Sequence, residues 1–469
     1  MLRLLLHPLL LSVLAIVVVW AVVIVYWQAT AKEVSFEHIA LYMLGLPALL
    51  IGLGFGIRAF LRHRQASPAT EKAVTVDAQS GAASSAEDAG EQRFTLAVLG
   101  TGIATAAGHD TADTYAALKA RAIRPAPDGE IKNRDGFPVI LSRVPDLALG
   151  EAEVALLQSS APPPPMTLRA LTLLRKAFAP VADVLHAVAL DSHGQPKDPS
   201  APPVAAPRLI VDLLVPPAWD AAQRRQVTVA ANCLLADTGW PDDARVLRTL
   251  DIGQCRSALH HLDKFNLEAN RSRSPDYYLL LACESQIDQE LIAGLENRNA
   301  LFGPATPRGA VPGEAAAAVL VRRAIDGAPD QPIALIGRAA LATRGKSIDS
   351  AGRAGCDELA GAATAALEQA QIPADQISEV FGDIDQHSGR CAECVGTLNA
   401  LLPQVDPAEQ FVAVGQSLGY LNSAGPLLAL AIAAEALAKS EQSVLLISAL
   451  HPTERLAMPL KPLPQAVPA

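Results

Sequence analysis

The segment at residues 411–433, FVAVGQSLGYLNSAGPLLALAIA, constrains the fold of this chain more than any other segment. The apolar residues FVAVG predict a strand, and the glycines that follow it predict a turn. The small residues SAG then open an apolar helix. A strand that leads through a turn into a helix indicates an α/β protein.

Length and composition limit the class of protein. The chain has 469 residues, enough for two or more domains, and half of them are hydrophobic although only 4% are aromatic. The net charge of -10 argues against general nucleic-acid binding, because phosphate binding needs a basic face. So few cysteines in so long a chain indicate reduced thiols in a cytosolic compartment and no disulfide framework. They are Cys233, Cys255, Cys283, Cys356, Cys391 and Cys394.

Two apolar runs near the N-terminus predict membrane spans. Residues 9–27 carry no charge and residues 39–60 carry only Arg58, and each run is close to the ~20 residues that cross a bilayer as a helix. Arg58, Arg62 and Arg64 place the end of the second run in the cytoplasm. We therefore predict a two-span hairpin with the bulk of the chain in the cytoplasm. The alternative, one span and a buried helix, would place the bulk in the periplasm.

The rest of the chain divides into a tether and a globular part. After the hairpin at residues 1–64, residues 65–92 are rich in Ala, Ser, Glu and Asp, which predicts a flexible tether. Residues 93–207, which contain proline-rich insertions, and residues 208–469 are predicted to form the two halves of one α/β domain. The insertions are SAPPPP at 160–165 and HGQPKDPSAPPVAAP at 193–207.

Apolar and helical segments alternate in the globular part. Continuous apolar strands with helices between them indicate a mostly parallel sheet that is covered on both faces. Predicted helices lie at residues 111–121, 167–188, 222–237 and 255–268. A first strand at 93–99 leads into Gly100-Thr101-Gly102, predicted as a turn. The later predicted strands are RLIVDLLV, ARVLRTL, DYYLLLA, AAAVLVR, PIALIGR, SEVFGDI, FVAVG and SVLLISA.

Four segments in a fixed order carry a family resemblance. They are LAVLGTGIATAAGHDTADTYAALKARA, GFPVILSRVPDL, DYYLLLACES and GAVPGEAAAAVLVRR. Together with the turn at 411–433, they resemble the β-ketoacyl synthases, members of the thiolase-fold superfamily. The last segment matches the family's Pro-Gly-Glu-Gly-Ala-Ala strand most specifically. The resemblance spans residues 93–450, with an atypical stretch between 148 and 207, and implies a layered thiolase-like α/β domain.

The resemblance also assigns the positions of the family's active site. The nucleophilic cysteine falls on Cys255 and the first histidine on His387, while the basic residue falls on Gly415 and the second histidine on Tyr420. Decarboxylating condensation needs a thiolate and two imidazoles. A phenol of pKa ~10 donates a hydrogen bond but cannot replace imidazole as an acid–base group. The resemblance therefore predicts a chain that is inactive as a ketosynthase, in which Cys255 fills space at a helix start.

A zinc site is a weaker hypothesis. His387, Cys391 and Cys394 have the spacing H-x3-C-x2-C, and Asp383 or Asp385 would have to supply the fourth ligand. A loop with incidental cysteines is the alternative interpretation.

Other motifs have simpler explanations. GQSLG at 415–419 matches the G-x-S-x-G nucleophile elbow, but only Glu435, Glu441 and Glu454 accompany His451 downstream, and the ketosynthase-like turn explains the same glycines. The Gly-Thr-Gly at 100–102 lacks the third glycine of a dinucleotide site. His260 and His261 are expected to be exposed, because at most one neighbouring helical side chain could face Cys255.

The N-terminal anchor, the start RFTLAVLGTG and the degenerate body together resemble the type VI lipase adaptor family of bacteria. That resemblance implies a two-pass inner-membrane protein that holds a phospholipase effector in the cytoplasm for a contractile secretion machine. The alternatives are a thiol-dependent acyltransferase or condensing enzyme that uses Cys255 with His387, and a non-catalytic partner of a ketosynthase. We expect a protein partner, contact with the membrane and a homodimer, with no cofactor and no nucleic acid.

Overall fold

The structure, a computed structural model, describes residues 90–157, 162–193, 206–251, 257–325, 331–350 and 354–463. The predicted spans at 9–27 and 39–60, nearly all of the tether, most of the stretch at 193–207, and Cys255 lie outside the described residues. Among the described helices, none combines the length and the apolar character that a membrane crossing needs. All described residues belong to one compact unit.

Strands and helices alternate along the described part of the chain. The strands are β1 (Leu96–Ala104), β2 (Ala126–Lys132), β3 (Pro138–Leu141), β4 (Leu209–Val215), β5 (Arg245–Asp251), β6 (Tyr277–Ser285), β7 (Glu314–Arg323), β8 (Ala334–Ile336), β9 (Ala340–Thr343), β10 (Ile377–Gly382), β11 (Phe411–Ala413), β12 (Ser443–Ser448) and β13 (Glu454–Lys461). The helices are α1 (Thr111–Lys119), α2 (Glu151–Leu157), α3 (Pro165–His193), α4 (Ala221–Ala236), α5 (Ala258–Ser272), α6 (Gln289–Asn297), α7 (Asp357–Ala370), α8 (Ser388–Leu401), α9 (Val414–Leu418) and α10 (Gly425–Ala438).

One 11-stranded sheet organises the domain, in the order β11-β10-β12-β13-β8-β1-β7-β6-β4-β5 with β9 attached to β13. β10 runs parallel to β11 and β12, and β4 runs parallel to β5 and β6. The other pairs of this sheet are antiparallel. The prediction of a mostly parallel sheet is therefore wrong. Strands that are buried on both faces are continuously apolar in either direction, so the pattern alone does not give their orientation.

Helices cover both faces of the sheet, as predicted. Helix α10 is buried along nearly its whole length and contacts β1 and β7 as well as β10 and β12. It shares one hydrophobic core with α5. Helices α3 and α4 cover the outer face of the β1–β7 half, while α7 and α8 cover the outer face of the β10–β12 half. The two halves of the sheet form two strand layers, and α5 and α10 lie between them. From one side to the other, the order is therefore helices, strands, helices, strands, helices.

The Gly-Thr-Gly at 100–102 lies inside β1, so its prediction as a turn is wrong. A Cβ on Gly102 would lie 2.1 Å from the carbonyl oxygen of Ala177 in α3. Pro180, which has no N–H to donate, lies in the same part of α3. The glycine is therefore required for close packing of β1 against α3.

Several boundaries differ from their predictions. The segment GFPVILSRVPDL is extended only in β3, which pairs with β2 in a separate two-stranded sheet. Val139 and Leu141 pack on α6, whereas Val144 and Leu147, later in the segment, pack into the core between α3 and the large sheet. The helix predicted at 255–268 begins at Ala258, and the helix predicted at 167–188 is longer, as α3.

Candidate functional site

His387 lies directly before α8 and acts as its N-cap. Its Nδ1 accepts a hydrogen bond of 3.1 Å from the backbone N–H of Gly389, and its own backbone N–H donates to Asp385 at 3.1 Å. Burial of the imidazole lowers its pKa, and the charge of Arg390 lowers it further. His387 is therefore a neutral side chain whose Nδ1 lone pair is already used by the helix. The helix begins at Ser388, where the family resemblance requires a Gly-Thr loop.

Tyr420 borders an open cavity of about 560 Å³. Its backbone N–H donates to the carbonyl oxygen of Val311 at 2.7 Å, and its carbonyl accepts from the Gln286 amide at 2.9 Å. Burial raises the pKa of the phenol to about 12. The phenol is thus neutral, and the two backbone hydrogen bonds hold Tyr420 in place. The charged residues of the cavity lining are Arg308, Asp349, Asp385 and Arg390.

The structure places His387 and Tyr420 around the same polar group. Arg390 is buried, and its guanidinium donates to both carboxylate oxygens of Asp385 at 3.1 Å. Asp349 lies 3.6 Å from both the Arg390 guanidinium and Nε2 of His387. The His387 imidazole and the Tyr420 phenol therefore flank charged side chains that pair with one another.

Gly415 leaves no room for the basic side chain that the resemblance places there. A Cβ at this position would lie 2.7 Å from the carbonyl oxygen of Ile384. The turn is also fixed by Gly419, which has φ +83°, and by Gly313, where a Cβ would lie 2.3 Å from the carbonyl oxygen of Leu418. Three glycines thus allow backbone segments to touch at this turn, and at Gly415 the resemblance expects a basic side chain.

Two buried carboxyl groups, Glu284 and Asp383, lie behind this turn. Sequence reasoning considered Asp383 only as a fourth zinc ligand and gave Glu284 no role in the site. Glu284, at the end of β6, accepts hydrogen bonds from the hydroxyl of Ser423 at 2.8 Å and from the backbone N–H of Ser423 and Ala424. Burial raises the pKa of Glu284 to about 7, although these hydrogen bonds oppose the rise. A charged residue at the end of a continuous apolar strand was the available signal.

The second carboxyl group, Asp383, directly follows β10. It accepts hydrogen bonds from the Ser448 hydroxyl and from the backbone N–H of Ala449, and burial raises its pKa. The Ser448 hydroxyl is also 3.3 Å from that of Ser257, the N-cap of α5. Cys255, two residues earlier, lies outside the described residues.

The two histidines of α5 are partly buried, so their expected exposure is wrong. Nδ1 of His261 lies 3.8 Å from the carboxylate of Asp212 on β4, and burial lowers the pKa of this imidazole. His261 is therefore turned towards the sheet.

The zinc hypothesis is not supported by the geometry. Cys394 is buried in the hydrophobic core under α7 and α8. The Cys391 thiol is within 3.4 Å of the carbonyl oxygen of Asp385 and 3.2 Å of the Gln416 amide. Within the described residues, no three His, Cys, Asp or Glu side chains are placed to hold a metal ion.

The nucleophile-elbow pattern does not form a strand-to-helix elbow. Ser417 lies inside the short helix α9, one turn after β11 ends. His451 is exposed, and its Nδ1 accepts from the backbone N–H groups of Thr453 and Glu454 at 3.2 and 3.0 Å. This imidazole caps its own loop, which argues against a hydrolase triad.

Comparison with known proteins identifies the fold. No protein-family model and no curated protein matches the chain. Among solved structures, the ishigamide ketosynthase/chain length factor matches with a TM-score of 0.54 and 16% identity over 79% of this chain and 100% of that chain. The chain has a ketosynthase fold. A β-ketoacyl synthase from Burkholderia phymatum STM815 matches with a TM-score of 0.52 and 15% identity over the same shares of the two chains.

A third structure with the ketosynthase fold shows a type II PKS ketosynthase, bound to the hexaketide and in complex with its acyl-carrier protein. It matches with a TM-score of 0.58 and 12% identity over 79% of this chain and 100% of that chain. The predicted thiolase-like, ketosynthase-like α/β fold is thereby confirmed. At these identities the likeness is one of fold, and function has to be argued from the site.

Proposed function

We propose that this chain is a ketosynthase-fold binding protein that performs no condensation and serves as a membrane-anchored adaptor for a protein cargo. The observation that carries the proposal is the pair of replacements at the turn after β11. Tyr420 stands where the family resemblance requires a histidine, and Gly415 stands where it requires a basic residue.

The chemistry argues against condensation. A decarboxylating site stabilises a developing enolate with preorganised donors and moves protons near neutral pH. The Tyr420 phenol, with a pKa of about 12, stays protonated near neutral pH and does not serve as a base. His387 uses Nδ1 as a helix cap, and the backbone of Ile384 fills the space beside Gly415. The neutral phenol of Tyr420 and the imidazole of His387, whose Nδ1 caps a helix, do not replace two histidines and a basic residue.

The cargo and the location rest on the resemblance to the type VI lipase adaptor family. That resemblance supports a lipase effector as cargo, a two-pass anchor at 9–27 and 39–60, and a cytoplasmic domain at a bacterial inner membrane. A second candidate, the non-catalytic partner of a ketosynthase, is favoured by the similarity to a ketosynthase/chain length factor.

Catalysis is tested with the purified full-length protein and a malonyl thioester. We expect no release of CO₂ above that of a Cys255→Ala variant and no acyl-thioester labelling of Cys255. Tyr420→His is expected to remain inactive, because Gly415 still supplies no basic side chain. Decarboxylation by the natural chain that disappears in Cys255→Ala would overturn the proposal.

The binding role is tested by co-purification from the native membrane. We expect the full chain to retain a lipase encoded beside it, whereas a chain that keeps only residues 1–92 does not. Retention of a ketosynthase in place of a lipase would reject the lipase cargo and establish the second candidate.

A further inference from the structure

A second cavity, which we call the β11 cavity, lies between the end of α1, β11 and α8. Its volume of about 510 Å³ falls within the ~300–1,000 Å³ that is typical of small-molecule sites. A little more than half of its wall is apolar, with Leu118, Ile140, Phe302, Val395 and Phe411 among the lining residues. The cavity therefore has the size and the wall for an apolar ligand body.

The charge of the β11 cavity has one sign. Among the described residues, the charged side chains of its lining are Arg121 and Arg124, both exposed, and no carboxylate lines it. The Arg121 guanidinium donates to the carbonyl oxygen of Ala408, which holds it beside the cavity. Two cations beside an apolar wall favour a ligand that carries a negative charge.

The other polar residues of the lining are neutral. Burial raises the pKa of the Cys391 thiol, which keeps it protonated, and the thiol is within 3.2 Å of the Gln416 amide. Gln386 uses its amide to donate to the carbonyl oxygen of Gly309 at 2.7 Å. The negative end of a ligand would therefore lie at the arginines, and the apolar end against the wall.

We propose that the β11 cavity binds a small organic anion with an apolar body, whose carboxylate or phosphate is held by Arg121 and Arg124. Arginine donates paired hydrogen bonds to either group, so the head group is defined as an anion. This site is separate from the Tyr420 cavity, and its occupation does not depend on the identity of the cargo.

The test uses Cys391 as a reporter in the full-length protein. Alkylation of Cys391 by N-ethylmaleimide is followed by peptide mass spectrometry with octanoate, octyl phosphate or octan-1-ol present. We expect both anions to slow alkylation at concentrations where octan-1-ol does not. In Arg121→Gln/Arg124→Gln, half-protection should need at least about tenfold more octanoate, because charged hydrogen bonds are lost.

Two further variants make the result specific. Arg134→Gln removes an exposed arginine outside the lining and should leave protection by octanoate unchanged. Val395→Trp fills the cavity and should abolish protection in a protein that still unfolds cooperatively. Equal protection by octan-1-ol, or protection that survives in the double arginine variant, would overturn the proposal. The more protective of the two anions identifies the head group.

Discussion

Glu284 is the residue whose chemistry depends most on its surroundings. It is buried between the end of β6 and the start of α10, and its pKa of about 7 lies above the ordinary value of 4.5. The folded protein therefore holds a proton there that the unfolded chain has released near neutral pH. The stability that this proton brings is complete below about pH 4.5 and is lost as the pH rises through about 7.

Glu284→Gln should remove this pH dependence. The amide oxygen can still accept from the Ser423 hydroxyl, and the side chain no longer has to lose a proton in the core. Relative to that of the natural chain, the free energy of unfolding of the variant should rise by on the order of 2 kcal/mol between about pH 5 and about pH 8. Chemical denaturation at several pH values measures it, with the exposed Glu130→Gln as control. A difference that is constant with pH would contradict the assignment.

Part of the site is readable from the sequence and part is not. Tyr420 and Gly415 are visible as replacements because the turn around them keeps its spacing. The helix cap made by His387 could not be predicted from the sequence. The resemblance places a Gly-Thr loop after His387, whereas α8 begins directly at Ser388. The raised pKa of Glu284 also depends on burial by α10, which is far along the chain.

At the scale of elements, α3 and β1 show how one glycine sets a packing distance. Gly102→Ala would drive a methyl group into the Ala177 carbonyl, 2.1 Å away, and would have to separate a helix from a central strand. We expect a loss of about 3 kcal/mol or more in the free energy of unfolding. Thermal unfolding monitored by circular dichroism measures it.

The matched control lies in α7. At Gly361 a Cβ would have no neighbour within 4 Å, and the residue is inside a helix. Gly361→Ala should therefore stabilise the protein by about 0.5–1 kcal/mol. Equal effects of the two substitutions would show that backbone propensity alone, without the α3 contact, explains Gly102.

Strands were more predictable from the sequence than helices, because each of the eight later predicted strands overlaps a strand of the structure, whereas α2, α6, α7 and α8 have no predicted range. Helices α1, α3, α4 and α5 all overlap their predicted ranges, since each carries a continuous helical pattern. β3 does not join the large sheet as a strand of the predicted domain would. A strand of only four residues pairs where tertiary contacts favour it, and here those contacts are with α6. β13 has no predicted counterpart, although it joins β8, β9 and β12.

At the scale of the whole molecule, the two halves of the sheet meet at β8 and β13. On the β10–β12 side of this junction, a buried ion pair joins β13 to α8. Arg455 of β13 donates two hydrogen bonds of 2.8 Å to Glu393 of α8, and both side chains are fully buried. Arg344, which follows β9, donates to the same carboxylate at 2.7 Å. The sequence gives no sign of this cluster, because its members are separated along the chain.

Glu393→Gln tests whether this cluster stabilises the junction. The substitution keeps the shape of the side chain but leaves the Arg455 charge buried without its counter-charge, which should cost about 3–5 kcal/mol of the free energy of unfolding. Glu358 lies 3.7 Å from Arg344 and is partly exposed, so Glu358→Gln should change it by no more than about 1 kcal/mol. Hydrogen exchange should then show β12 and β13 opening together in Glu393→Gln, because the junction holds both strands. Equal effects of the two variants would mean that Arg455 finds solvent or another partner, and that apolar packing alone holds β13 against α8.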